Sequence, residues 1–514
     1  MSWSPDFVAG LSATSITVTY RLRIWKPTAN AAGESVHIFS DIGDLRIGAS
    51  GVQIRGTAVI PSRWSVSFGG FDLELVGDLR PYKDKIKRGA LAIIEAKILG
   101  FSDFETIGLG QLNQISGFRG VYRATFKDIL SAFQSRIDTR YSTTLNYARL
   151  FFTAGVSTTV TSNWTAGTTT LHVADASIFE KQSLIDGVVF VTPSSGSDPF
   201  YMRWSSVDTV AKTITLTSGT AGHPSTASAS NLAVGDLVQN CVRILTNPYL
   251  ILGMIVTSTG TGTNGVDDDL PANWTTGAAV PAAMVDRNDA DAQRAYLKPS
   301  TGTLYRWDYV RKEPLSNGLR DLITTASATG QWPVFRQDSF SWRGCTDPTG
   351  QFGQLPPIAD RIYDSDIIAI EGHIMQDPSL QATFPSTKII YDLSGNSKIR
   401  TNTVSSTLPT QGQIVRDVGA LYDHSFGNSD KMAEGDMSRM RVWDVYHWSR
   451  LTLRVSLRFA TLVAGDVVRI TSEYLYDMST PPNQTYVDKS GMIISSEYDI
   501  SGRFCVIVVA IPNN

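Results

Sequence analysis

LTLRVSLRFATLVAGDVVRIT, residues Leu451 to Thr471, is the stretch that decides the fold class. Leu451, Leu453, Val455, Leu457 and Phe459 alternate with Thr452, Arg454, Ser456 and Arg458, so one face is apolar and the other polar and basic. That period of two predicts a half-buried β-strand. Ala464-Gly465-Asp466 then supplies turn chemistry, and Val467 to Thr471 resumes with β-branched residues, so the stretch predicts a hairpin-like unit with one covered face.

The same texture runs through the whole chain. Charged residues are only 18% of 514, with 42 glycines and 42% hydrophobic residues, a balance that predicts a mainly β chain with minor α. The formal charge of −3 and the lack of any long basic run give no global pull towards nucleic acid. Cys241, Cys345 and Cys505 are too far apart for a zinc knuckle or a disulfide framework and read as buried free thiols. The opening MSWSPDFVAGLS lacks the basic start and continuous apolar core of a signal peptide, and no apolar window is long enough to span a bilayer. The expectation is a soluble chain with no membrane anchor, made in a reducing cytoplasm.

Four units follow in order. Residues 1–158 carry alternating segments at Ile16 to Ile24, Ser65 to Phe68, Phe71 to Leu75 and Ala90 to Ala96, the spacing of a small sandwich or barrel. Phe126, Ile129, Leu130, Phe133 and Ile137 then switch to a spacing of three and four and predict a closing helix. Residues 159–240 turn Thr/Ser-rich, with short strands at Thr170 to Val173, Gly187 to Val191 and Thr213 to Thr217, and read as an inserted β module. It ends in Gly235-Asp236-Leu237-Val238, a phrase that repeats the Gly465-Asp466 turn and reads as shared turn chemistry.

Residues 241–395 read as a mixed α/β middle unit, with helices from Asn247-Pro248 and from Asn317 and strands at Ser339 to Trp342 and Ile367 to Ile370. Residues 396–514 begin with a helical spacing through Met432, Ala433, Met437, Met440 and Trp443. They end in the opening stretch and two further strands, Gly491 to Tyr498 and Phe504 to Ile511.

Few residues suggest chemistry. Gly260 to Gly265 spell G-x-G-x-x-G, but they follow a helix and precede Asp267, Asp268 and Asp269, the wrong context for a phosphate cradle. Those three carboxylates lack the alternating ligands of a calcium loop. The six histidines, His37, His172, His223, His373, His424 and His447, form no metal-ligand pair, and no serine or cysteine sits in a nucleophile motif. No catalytic residue, metal site or cofactor is assigned, and the chain reads as a non-enzyme. Trp164, Trp204 and Trp274 lie in or near the Thr/Ser-rich module and could line a sugar surface or simply pack. Arg454 and Arg458 could face a channel, a neighbouring chain or solvent.

Three passages carry a resemblance: Thr246-Asn247-Pro248-Tyr249-Leu250-Ile251-Leu252 running on to Leu270-Pro271, the Gly89 to Ile137 passage with FRGVYRATFKDILSAF, and the Leu451 to Ile511 end. Together they resemble the baseplate hub or tail-tip family of tailed bacteriophages and gene transfer agents, including a Thr/Ser-rich insertion that closes just before the Asn-Pro helix. The resemblance implies a homotrimer in the virion, assembled in the host bacterial cytoplasm, each chain giving two tail-tube-like β-barrels to a pseudo-sixfold ring. It implies as partners the distal tail protein, tip or fibre proteins, and the tape-measure protein and DNA in the lumen. A hexameric distal tail protein and a carbohydrate-binding or carbohydrate-cleaving tail protein are the alternatives.

Overall fold

The computed structural model describes residues 3–13, 15–25, 35–61, 65–128, 157–179, 187–197, 200–217, 230–245, 306–309, 330–336, 339–350, 356–375, 377, 379–380, 386–390, 397–401, 413–417, 433, 437, 443, 447–477 and 485–513. The expected helices from Asn247 and Asn317, the Gly260 to Gly265 phrase, the Asp267 to Asp269 run and Trp274 lie outside them.

One short helix opens the chain. α1 (Pro5–Leu11) starts where Ser4 caps it, its hydroxyl accepting from the Phe7 N–H, with proline in the first turn where a missing N–H costs nothing. Nine strands follow: β1 (Val18–Trp25), β2 (Ser35–Phe39), β3 (Leu45–Arg55), β4 (Ala58–Ile60), β5 (Ser65–Ser67), β6 (Gly70–Gly77), β7 (Leu91–Ile98), β8 (Glu105–Phe118) and β9 (Val121–Asp128). Seven of them pair in the order β2-β1-β7-β8-β9-β6-β3, while β4 and β5 form a separate hairpin. The strands at the two ends of that order, β2 and β3, are consecutive in the chain.

β10 (Ser157–Thr159), β11 (Thr170–His172), β12 (Gly187–Thr192), β13 (Phe200–Asp208), β14 (Thr213–Leu216), β15 (Leu237–Leu245) and β16 (Arg306–Tyr309) make a sheet of their own. Its core, built on Val160, Leu171, Val189, Trp204, Ile214 and Val238, is separate from that of the rest of the chain. β17 (Gln331–Arg336) and β18 (Ser339–Gly344) form a hairpin. β21 (Ser386–Ile390), β22 (Ser397–Thr401) and β23 (Gln413–Asp417) form a small sheet.

The terminal unit draws in two earlier strands, β19 (Ile358–Tyr363) and β20 (Ile367–Ile374), with β24 (His447–Ser456), β25 (Val467–Tyr476), β26 (Thr485–Asp499) and β27 (Phe504–Asn513). Their order is β19-β25-β26-β27-β24-β20, and again the end strands are consecutive, joined by the 3-10 turn Asp364–Asp366. β26 is long enough to serve both units. Its first half pairs with β25, and Glu497, Tyr498 and Asp499 pair with Arg55, Ile54 and Gln53 of β3. The two units thereby form one 13-stranded sheet over one continuous hydrophobic core that runs from Trp3 to Ile511.

Two expectations are corrected. The alternation through Leu451 does give a strand, but it starts at His447, stops at Ser456, and Leu457–Phe459 is a 3-10 turn. The stretch is not a hairpin: β24 pairs with β27 and β20, and β25 with β26 and β19. The turn carries the chain from one side of β26 and β27 to the other. The helix expected from Phe126 does not begin there, because Phe126 to Asp128 finish β9 and the Phe126 ring stacks on Phe71 at 4.4 Å. The remainder of that expected helix lies outside the described residues. Farther on, Ala433, Met437 and Trp443 are helical and buried, as their spacing predicts.

Candidate functional site

The seam between the two units is densely packed and hydrogen-bonded. Trp3 packs edge-on against both Phe7 and Tyr498, at 5.0 and 5.9 Å, and donates its indole N–H to the Thr106 carbonyl at 2.9 Å. The Tyr498 hydroxyl, fully buried, donates to the Ile107 carbonyl at 2.6 Å, and the Gly56 N–H donates to the Ser496 carbonyl at 2.8 Å. Tyr20 and Ser501 share a hydrogen bond of 2.7 Å across the same seam. Apolar contact with satisfied polar tips fixes the angle between the units, as in a domain core rather than a transient interface. The cavity beside it, lined by Ile54, Phe71, Ile107, Leu462 and Tyr498, has a volume of about 40 Å³. That space holds a few waters and no substrate-sized molecule.

The two Gly-Asp turns have the same internal geometry. Gly235 and Gly465 both adopt a left-handed backbone, φ +96° and +104°, which disfavours a side chain. In each turn the aspartate carboxylate accepts from the N–H three residues back, Ala233 or Val463, at 2.9 Å in both. In each, the glycine N–H and the aspartate carbonyl bond to one residue of a neighbouring segment, Val160 or Ile493. The remaining carboxylate oxygen differs. Asp236 accepts from the Ser194 N–H and hydroxyl, and Asp466 accepts from Arg343 Nε at 2.7 Å. Burial works to raise the Asp236 pKa, and the Ser194 and Ala233 donors outweigh it, so the carboxyl titrates below its usual range. The shared phrase is shared turn chemistry, used twice as a clamp.

Arg454 and Arg458 are both 41% exposed, and each is also held by partners within the chain. Arg454 pairs with Glu371 of β20 and lies over the Phe504 ring at 4.4 Å. Arg458 donates to the Arg361 carbonyl at 2.8 Å and to Asp366 at 3.0 Å, where β19 turns into β20. Both arginines hold the two end strands of the terminal unit to its body. Inside, His373 of β20 lies 3.2 Å from the Tyr486 hydroxyl of β26, and burial lowers the histidine's pKa.

The other singled-out residues are structural. Trp164 and Trp204 are buried in the core of the β10 to β16 sheet, so neither offers a ring to a sugar. Cys345 and Cys505 are buried thiols, and burial pushes the Cys505 thiol up to about 12. Among the described residues no group of three or more histidine, cysteine or acidic side chains could hold a metal ion. No helix among them is long and apolar enough to cross a membrane.

Two surfaces escaped sequence reading. The β8–β9 hairpin runs past the core and presents Phe118 and Val121 to solvent around a tight turn at Arg119 and Gly120, both left-handed. At the far end of β19, β25 and β26, Tyr363, Tyr474, Tyr476 and Val487 are exposed together. Each interrupts an otherwise regular alternation, the one signal in the sequence that could have flagged it.

No protein-family model matches the chain, and no curated protein matches it. Among solved structures, it is similar to a tail protein from Neisseria meningitidis MC58 (10% identity, 96% of this chain and 97% of that one, TM-score 0.37). It is also similar to the 43 kDa tail protein of prophage MuSo2 from Shewanella oneidensis (11% identity, 96% and 98%, TM-score 0.38). A third likeness is to prophage tail protein gp18 from Listeria monocytogenes EGD-e (8% identity, 97% and 94%, TM-score 0.37). These are distant likenesses over nearly the whole of each chain.

Proposed function

We propose that this chain is a structural hub of a phage tail tip. Three copies form a ring, each giving two rolled β units, so that six units surround a channel for the tape-measure protein and then DNA. One rim meets the distal tail protein and the other the tip or fibre proteins. The observation that carries this is the joining of two β units in one chain along β3 and β26, each with its end strands consecutive in sequence. A rigid pair of similar units is what threefold assembly needs to present a sixfold face. The order of sequence passages from Gly89 through the Asn-Pro phrase to Ile511 supports the same reading.

A hexameric distal tail protein would need one such unit per chain, and this chain has two. A glycan-binding role for the 159–240 module loses its tryptophan platform with Trp164 and Trp204 buried. No catalytic residue, metal or cofactor is assigned. Cryo-EM of particles carrying this chain tests the proposal: threefold density for it at the distal end of the tail tube is expected. Its absence from the tail would overturn the reading. Binding of host surface polysaccharide that is lost on deleting residues 160–240 would move the chain to the glycan alternative.

A further inference from the structure

The two exposed surfaces complement one another. On the first, Arg46, Val76, Val121 and Phe118 stand in register across β3, β6, β9 and β8, on one side of the sheet. Phe118 is 75% exposed and Val121 is 47% exposed, although a strand tip has every chance to fold such side chains away. The Gly77 N–H donates to the Gly120 carbonyl at 2.8 Å, which sets the loop after β6 beside the hairpin tip. That loop, Asp78 to Gly89, carries five cations against two carboxylates. Leu79, Tyr82 and Ile86 pack down onto the core and leave the charges outside. Arg46, Lys83, Arg88 and Arg119 pair with no carboxylate among the described residues. The patch is an exposed aromatic and aliphatic centre inside a basic rim.

The second surface has the opposite rim. Tyr474 is 71% exposed and Val487 is 76% exposed, with Tyr363 and Tyr476 beside them. Asp366 and Asp488 are held by Arg458, Arg361 and Arg469. Glu473 has no ion pair among the described residues, and Asp364 only accepts from the Glu473 N–H at 2.8 Å. This patch offers tyrosine faces and uncompensated carboxylates, which suit arginine both as a counter-charge and as a stacking partner.

We infer that the Phe118 patch of one copy docks on the Tyr474 patch of the next. The occupant is a second copy of this chain because the complement lies on the same chain and neither patch is covered by the described residues. A duplex nucleic acid would satisfy the cations but leave Phe118 and Val121 against a polar backbone. Two different patches meeting head to tail make a heterologous contact, the kind that closes a ring. Aromatic and arginine groups at the centre of such a contact are the usual carriers of its affinity. The inference rests on the ring proposed above and names the contact that builds it.

Mixing two variants tests it. Arg46→Glu/Arg119→Asp reverses the charge at two of the four unpaired cations of the first patch and keeps a residue type that tolerates the left-handed turn. Asp364→Asn/Glu473→Lys neutralises one carboxylate of the second patch and reverses the other. Each variant alone is expected to run as a single chain, while an equimolar mixture is expected to associate by strict alternation, because the altered first patch meets the altered second patch and the two unaltered patches meet each other; such alternation cannot close a ring of three. A chain carrying all four changes is expected to regain the wild-type assembly. Circular dichroism identical to wild type checks that the variants fold, and Phe118→Ala, which alters no charge, is expected to weaken assembly about tenfold. Variants that assemble as wild type does, a mixture that stays single, or a wild-type chain that never associates would each overturn the inference. The last result leaves the tail-tip location to be decided separately by particle imaging.

Discussion

Arg343 of the β17–β18 hairpin and Asp466 of the terminal turn form an ion pair of 2.7 Å with 2% and 4% of their side chains exposed. Trp332 of the same hairpin donates to the Ala464 carbonyl at 3.1 Å, so two polar anchors seat the hairpin on the terminal unit. Asp466→Ala leaves a buried guanidinium uncompensated and is expected to cost about 3–5 kcal/mol, read from denaturant midpoints. Asp236→Ala, in the matching turn with neutral donors, is expected to cost about 1–3 kcal/mol. Equal costs in the two turns would show that the ion pair contributes nothing beyond the turn itself.

Val455 is fully buried, paired on β24 with Cys505 on one side and Ile367 on the other. Val455→Asp places a carboxylate in the core and is expected to destabilise by several kcal/mol, with loss of soluble folded chain. Thr452→Asp, on the outward face of the same strand, is expected to be tolerated. A folded, assembling Val455→Asp variant would contradict the assignment of faces.

Burial pushes the Cys505 thiol up to about 12, and the side chain contacts the Phe459 carbonyl rather than solvent. Little thiolate is present at pH 8, so Cys505 is expected to resist maleimide until the chain is unfolded. Peptide mapping after a brief native labelling step reads this directly. Rapid native labelling at Cys505 would mean that the β24–β27 face opens easily.

His373 titrates below its usual range in the folded chain because burial penalises its charged form. Below about pH 6.5 the unfolded chain therefore takes up this proton more readily than the folded one. Stability from this site is complete above that pH and is lost as pH falls towards the folded pKa. His373→Gln is expected to flatten that part of the stability profile. A slope unchanged by the substitution would assign it elsewhere, for example to His37, which burial and nearby Arg21 and Arg23 also hold low.

What the sequence showed well was local alternation. The strands at Phe71 to Leu75 and Thr213 to Thr217 are where the period of two places them, and the apolar run Phe504 to Ile511 is a strand as expected. What it hid was pairing. Leu451 to Thr471 looks like a hairpin because its two strands are close in sequence, yet their partners were chosen by burial of Leu451, Leu453, Val468 and Ile470 against distant strands. β8 was hidden by glycines. A Cβ on Gly110 would sit 2.4 Å from the Lys127 carbonyl, so that residue marks close strand packing where a turn would be expected. Phe126 misled as the first residue of the expected helix, because it lies near the end of β9 with its ring stacked on Phe71 of β6. The exposed arginines and tyrosines gave no sign of their placement, since only the folded sheet puts Arg46, Val76, Val121 and Phe118 in one row across four strands.

The central claim is that one chain supplies two of six units in a ring, and native mass spectrometry of the purified assembly tests it most directly. The account predicts a closed complex of three chains, about three times the 56.0 kDa of one. A closed complex of six chains, with twelve β units, would contradict it.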